Sequence, residues 1–209
     1  MSFRYYLYIS DTKVDMLLAQ IDPGFARSRA TEVSLDLKVV GAKRSMANSG
    51  SDRIARLERV VRHIEDHGDL GTVDEPGQFF WGLLPMRWGA IEGRPSAVYF
   101  GGRAERTIVG LGGSLRHVVG TAADAVPEQT IGGSMLPAML DWLDSDEDGE
   151  VDDGSLAVVL RANAGLRGPA QNVEFVAKRL MQGTSPYPEP NQKEMTVLLG
   201  SPLYVAMAD

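Results

Sequence analysis

Four stretches of the chain hold side chains whose types and spacing could do chemistry. The sharpest is the acidic run that begins in Asp141-Trp-Leu-Asp144. Asp144, Asp146, Asp148, Gly149, Glu150 and Asp152 fall on positions 1, 3, 5, 6, 7 and 9 of an EF-hand-like loop. In such a loop alternating carboxylates reach a hard cation and the glycine makes the sharp turn. Position 12, which should be a bidentate Glu, is Ser155. Calcium is therefore expected to bind weakly, if the loop is more than a solvated, self-repelling acidic segment.

The second stretch is Gly110-Leu-Gly112-Gly113-Ser114-Leu-Arg116-His117. A glycine turn after the strand Thr107 to Val109 would offer backbone amides to an anion, and the hydroxyl of Ser114, the guanidinium of Arg116 and the imidazole of His117 stand beside it. Gly112, Gly113, Ser114, Arg116 and His117 form the ligand site expected from sequence. The segment lacks the third glycine of a dinucleotide fingerprint, since position 115 is Leu, and it has no Gly-Lys-Ser/Thr. Ser114 with His117 could also act as nucleophile and base, although no glycine elbow surrounds the serine.

Third, His63-Ile-Glu-Asp-His67 puts two imidazoles at i and i+4 on one helical face, a spacing that can chelate zinc. It matches neither zincin pattern, because Ile64 and Asp66 stand where a glutamate belongs. Fourth, Arg53, Arg56, Arg59 and Arg62 recur every three residues on the same helix. They read as a phosphate grip, as a docking face for an acidic partner, or as a solvated flank paired with Glu58, Glu65 and Asp66.

The rest of the chain must position these groups. It has 209 residues and no cysteine, with 21 basic and 28 acidic residues. Eight of the acidic residues lie between 141 and 153, and without them 20 remain against 21 basic ones. So balanced a body builds no long-range field for phosphate backbones, and nucleic acid is not an expected partner. The absence of cysteine excludes a disulfide framework, a thiolate zinc site and a thiol nucleophile. No apolar run approaches the roughly 20 residues that cross a bilayer, nor does the N-terminus read as a signal peptide. A soluble, cytoplasmic protein without membrane contact is the expectation.

Arg4 to Ile9 reads as a strand, and Val14, Leu17, Leu18 and Ile21 as a helical face stopped by Pro23-Gly24. Val33 to Val40 alternates like a half-buried strand. A second helix carries Ile54, Leu57, Val60, Val61 and Ile64 up to Gly68. From Gln78 to Val119 the pattern is short β segments. Met135 to Leu143 reads as a helix, Leu156 to Leu160 as a strand, and Val173, Val176, Ala177 and Leu180 as a helical face opened by Pro169. A strand from Met195 to Ala208, bent at Gly200-Ser-Pro202, closes the chain. The expected architecture is one α+β domain over residues 1–209, with a largely antiparallel sheet, barrel-like or open, about four helices, and the acidic loop 144–155 within it.

Several segments resemble one family when taken together: Leu7-Tyr-Ile-Ser-Asp-Thr-Lys-Val-Asp-Met-Leu17, Met86-Arg-Trp-Gly89, Val98-Tyr-Phe-Gly-Gly102, Leu111-Gly-Gly-Ser114, Asn172-Val-Glu-Phe-Val-Ala-Lys-Arg-Leu180 and Gly200-Ser-Pro-Leu-Tyr-Val205. The chain is similar over nearly its full length to an uncharacterised family of small actinobacterial (Streptomyces-type) proteins. That resemblance implies an actinobacterial cytoplasmic protein and carries no activity or site residue with it. The residues themselves suggest a non-catalytic binding or sensor domain for a small anionic ligand or a protein partner. The alternatives are a hydrolase using Ser114 and His117 or a metal at His63 and His67, and an interaction module with a weak calcium loop.

Overall fold

The computed structural model describes residues 4–22, 24, 49–91, 94–121, 154–186 and 195–208. They fall into two compact units, Asp11–Gly68 and Met1–Ser10 with Asp69–Asp209.

The first unit holds α1 (Asp11–Ile21) and α2 (Ser49–His67). Val14 and Leu18 of α1 and Leu57, Val60, Val61 and Ile64 of α2 are buried, as the apolar spacing predicts. Gly68 ends α2, its amide donating to the Ile64 carbonyl at 2.8 Å. The arginine stripe meets acidic residues of α1. Arg53 pairs with Asp11 at 2.8 Å, Arg56 with Asp15, and Arg59 with Asp22 at 2.9 Å. Partner numbers rise together on the two helices, so α1 and α2 run parallel. Arg56 also reaches Asp52 one turn away, at 3.1 Å. The arginines thus pair across helices, with Asp11 and Asp15 of α1 and with Asp22 one residue beyond it.

The second unit is built on seven strands: β1 (Tyr5–Ile9), β2 (Leu70–Thr72), β3 (Phe79–Ile91), β4 (Arg94–Arg103), β5 (Thr107–Ser114), β6 (Gln171–Thr184) and β7 (Thr196–Met207). β3 pairs with β4, β4 with β5, β5 with β7, β7 with β6, and β6 with β3 again. That ring is a closed five-stranded barrel, antiparallel at every seam except β5–β7. β1 continues the edge of β7 where β5 leaves it, and β2 lies parallel beside the start of β3. The mixed α/β class holds, and the barrel form is the one realised.

A five-stranded barrel leaves room inside for side chains only, since even eight strands give an interior that side chains fill. Phe80, Met86, Phe100, Leu111, Phe175 and Leu198 point inward and are buried, at roughly 2–3 kcal/mol each. Two large rings fit because glycines face them. A Cβ at Gly200 would stand 2.5 Å from the Phe80 ring, and one at Gly82 2.6 Å from Phe175. Period-two alternation cannot put both Gly200 and Val205 inside, because five residues separate them. A bulge at Leu203 resolves this: Val176 faces Tyr204, and the next residue, Ala177, faces Pro202.

Two expected elements are exchanged. Residues 156–160 lie not in a strand but in a helix, α3 (Gly154–Gly165), and residues 173–180 lie not in a helix but in β6. α3 packs Val159 and Ala162 on the outer barrel wall against Tyr99, Val197 and Leu199. The Tyr99 hydroxyl donates to Asn163 Oδ1 at 2.9 Å, and the Asn163 amide donates to the carbonyls of Gly102 and Val109 at 3.4 and 3.3 Å. With these described residues the helix count is three, against about four expected. The expected strand at 33–40, the helix at 135–143 and residues 144–153 of the acidic loop lie outside the described residues, while the loop's last two residues, Gly154 and Ser155, open α3.

Candidate functional site

β5 runs straight through the glycines and stops at Ser114. Gly112 lies opposite Tyr99 and Gly113 opposite Val98 on β4. The expected glycine turn is therefore strand, and the chain turns one residue after Ser114, in the short 3-10 segment Leu115–His117. The physical reason lies in the barrel interior. A Cβ at Gly113 would stand 2.5 Å from the Tyr8 hydroxyl oxygen, so the missing side chain houses a tyrosine ring.

The turn is fastened on both sides. The Val118 amide donates to Leu115 O at 3.1 Å, the Val119 amide to Leu7 O at 2.9 Å, and Tyr8 bridges to Val118. Leu115 and Val118 pack down onto the barrel core. That orientation leaves Arg116 exposed and His117 half-buried. The His117 ring meets Tyr8 edge-on at 5.9 Å, and Tyr8 meets Phe100 edge-on at 6.0 Å. Phe100 in turn stacks on Trp88 at 5.7 Å, whose indole nitrogen faces Gln171 Oε1 at 3.4 Å. A column of rings thus runs from the turn through the end of the barrel. Edge-to-face and offset pairs of this kind add about 0.5–1.5 kcal/mol each beyond their burial.

The structure brings Ser114, Arg116 and His117 onto one rigid turn, with Gly112 and Gly113 in the strand that carries it. Ser114 occupies the position before the turn with extended backbone, and its hydroxyl makes no capping bond to the turn. A guanidinium, an imidazole and a hydroxyl held within four residues can meet a carboxylate or phosphate by charge-assisted hydrogen bonds. Sequence reading missed Tyr8 and Trp88, which support the turn from below. No local spacing signals them, because they meet only through the register of β1, β3 and β4.

A second polar cluster was also missed. The Tyr204 hydroxyl donates to Glu174, which Arg4 also binds at 2.9 Å. The Arg4 guanidinium lies 5.8 Å over the Tyr204 ring, and Tyr6 meets that ring edge-on at 5.7 Å. Burial, and then Glu174, push the Tyr204 phenol well above the usual tyrosine range. The cluster ties β1, β6 and β7 together.

The remaining candidates are placed as follows. His63 and His67 are exposed on the last turns of α2, with their rings stacked 4.8 Å apart. Asp144, Asp146, Asp148, Glu150 and Asp152 lie outside the described residues. Within the described residues no three His, Cys, Asp or Glu side chains gather to hold a metal ion. Nor is any helix among them long and apolar enough to cross a membrane.

A family model described as a family of unknown function (DUF7019) matches residues 4–209. No curated protein and no solved structure matches the chain.

Proposed function

For a chain that belongs to this family of unknown function, we propose a non-catalytic binding domain that takes a small anionic ligand at the end of the barrel. The observation that carries the reading is the turn Leu115–His117, which presents Arg116 and His117 side by side on a strand end pinned to β1. Ser114 supplies a third donor, and the absent side chain of Gly113 leaves room for the Tyr8 ring beneath the turn. A site fixed this way loses little conformational entropy on binding, which favours small ligands with few contacts.

The test is thermal unfolding with inorganic phosphate, citrate and adenosine monophosphate as separate probes. At least one probe raises the midpoint of the wild type, and Arg116→Glu abolishes the rise. No shift with any probe, or an equal shift in Arg116→Glu, contradicts the reading. A hydrolase using Ser114 and His117 would instead turn over a p-nitrophenyl ester and lose that activity in Ser114→Ala.

A protein partner is the second reading, supported by Trp81 and Leu83. These two side chains share the outward face of β3 and are 46% and 57% exposed. Tryptophan is enriched among the residues that carry interface binding energy. A partner captured by wild type and lost in Trp81→Ala would favour this reading over the first.

A further inference from the structure

The last two turns of α2 carry a pair of imidazoles that the barrel-end site does not use. His63 and His67 are one helical turn apart, both exposed, and their ring centres are 4.8 Å apart with 20° between the planes. An ion bonded to two imidazole nitrogens at about 2.05 Å lies about 3.2 Å from each ring centre, so bond angles from square-planar to tetrahedral separate the centres by about 4.5 to 5.2 Å. The observed spacing falls inside that interval. The rings now lie face to face, and a rotation of each about its soft terminal torsion turns the nitrogens onto a shared point without moving the backbone.

The position on the helix adds a second favourable factor. The pair sits at the C-terminal end of α2, where the Gly68 amide closes onto the Ile64 carbonyl. The aligned peptide dipoles put partial negative charge at that end, which favours a cation over the last turn. Asp66 and Glu65, both exposed, add local negative charge.

We infer that His63 and His67 form a two-imidazole chelate for a late first-row divalent cation, with the remaining coordination positions left to solvent or to a partner's ligand. No third His, Cys, Asp or Glu among the described residues completes the set. The affinity is therefore that of a bidentate surface site rather than of a closed structural one. This site is independent of the proposed anion site.

Isothermal titration of the full chain with the chlorides of Cu2+, Ni2+ and Zn2+ tests it. The expected result is saturable binding, with Cu2+ tighter than either Ni2+ or Zn2+. His63→Ala and His67→Ala each weaken it about 100-fold, because the second imidazole then no longer binds intramolecularly. The double variant, with no imidazole left at this position, binds no tighter than either single one. Adding Glu65→His to His67→Ala keeps two histidines but puts them two residues apart, on different faces of the helix, so the affinity stays low. Equal binding by wild type and both alanine variants would overturn the inference, as would recovery of affinity in the Glu65→His variant. All the substituted positions are exposed, and unfolding midpoints without metal verify that each variant is folded.

Discussion

Phe80 occupies the space that a side chain at Gly200 would fill: a Cβ there would stand 2.5 Å from the Phe80 Cζ and 2.8 Å from its Cε1. One ring on β3 and one glycine on β7 thus fix how tightly the barrel closes. Gly200→Ala forces the ring or the strand aside, and we expect a loss of roughly 2–4 kcal/mol in denaturant unfolding. Phe80→Leu combined with Gly200→Ala recovers part of it. If Gly200→Ala alone leaves stability unchanged, the interior is looser than described.

The ion pairs between α1 and α2 differ in burial, and so in worth. Asp15 is 8% exposed and held by Arg56, whereas the Arg59 side chain is 59% exposed in its pair with Asp22. Asp15→Ala leaves a half-buried guanidinium without its principal partner, at a cost of about 2–3 kcal/mol. Arg59→Ala costs under about 1 kcal/mol. Equal losses in the two variants contradict this ordering.

Lys13 of α1 makes stability depend on pH. Burial pushes its ammonium down to about 8 from an ordinary value of 10.5. Below pH 8 the amine is charged in both states, and its full desolvation cost opposes folding. Between pH 8 and 10.5 the unfolded chain binds more protons than the folded one, so this group's contribution raises stability with pH. Lys13→Met removes that rise and stabilises the protein at pH 7 by about 1–3 kcal/mol. A pH-stability curve with the same slope in both proteins refutes the assignment.

Asn163 rivets α3 to the barrel through Tyr99 and two strand carbonyls. Asn163→Ala removes three hydrogen bonds and leaves the Tyr99 hydroxyl only the Val159 carbonyl at 3.3 Å, for a loss of about 1–3 kcal/mol. Adding Tyr99→Phe to it costs less than the sum of the two single changes, because both remove the same bond. Strict additivity in that cycle argues against the rivet.

Much of the fold is written in local periodicity, and the exceptions have a physical cause. The apolar spacing of α1 and α2 shows within each segment, and the β-rich composition of β1 and β7 marks them as strands although β7 is buried on both faces. β6 is different. Its Val173, Val176, Ala177 and Leu180 fit a helical stripe, yet Val173, Phe175 and Ala177 face the barrel while Val176 lies buried on the other side. A strand covered on both faces loses the alternation that identifies it. Leu156 to Leu160 is an apolar run short enough for a strand, and only Ala162 and Asn163 beyond it reveal the helix. At the barrel end, the types and spacing of Arg116 and His117 marked them as candidates in the sequence. The strand character of Gly112 and Gly113 was not legible, because Tyr8, which needs the space at Gly113, lies more than a hundred residues away in sequence.

Native mass spectrometry of gently purified wild-type protein and of the Arg116→Ala/His117→Ala variant tests the barrel-end site most directly. The prediction is a discrete mass excess on the wild type that the variant lacks, with both chains folded. A bare mass for the wild type, or the same excess on the variant, would contradict a ligand held by this turn.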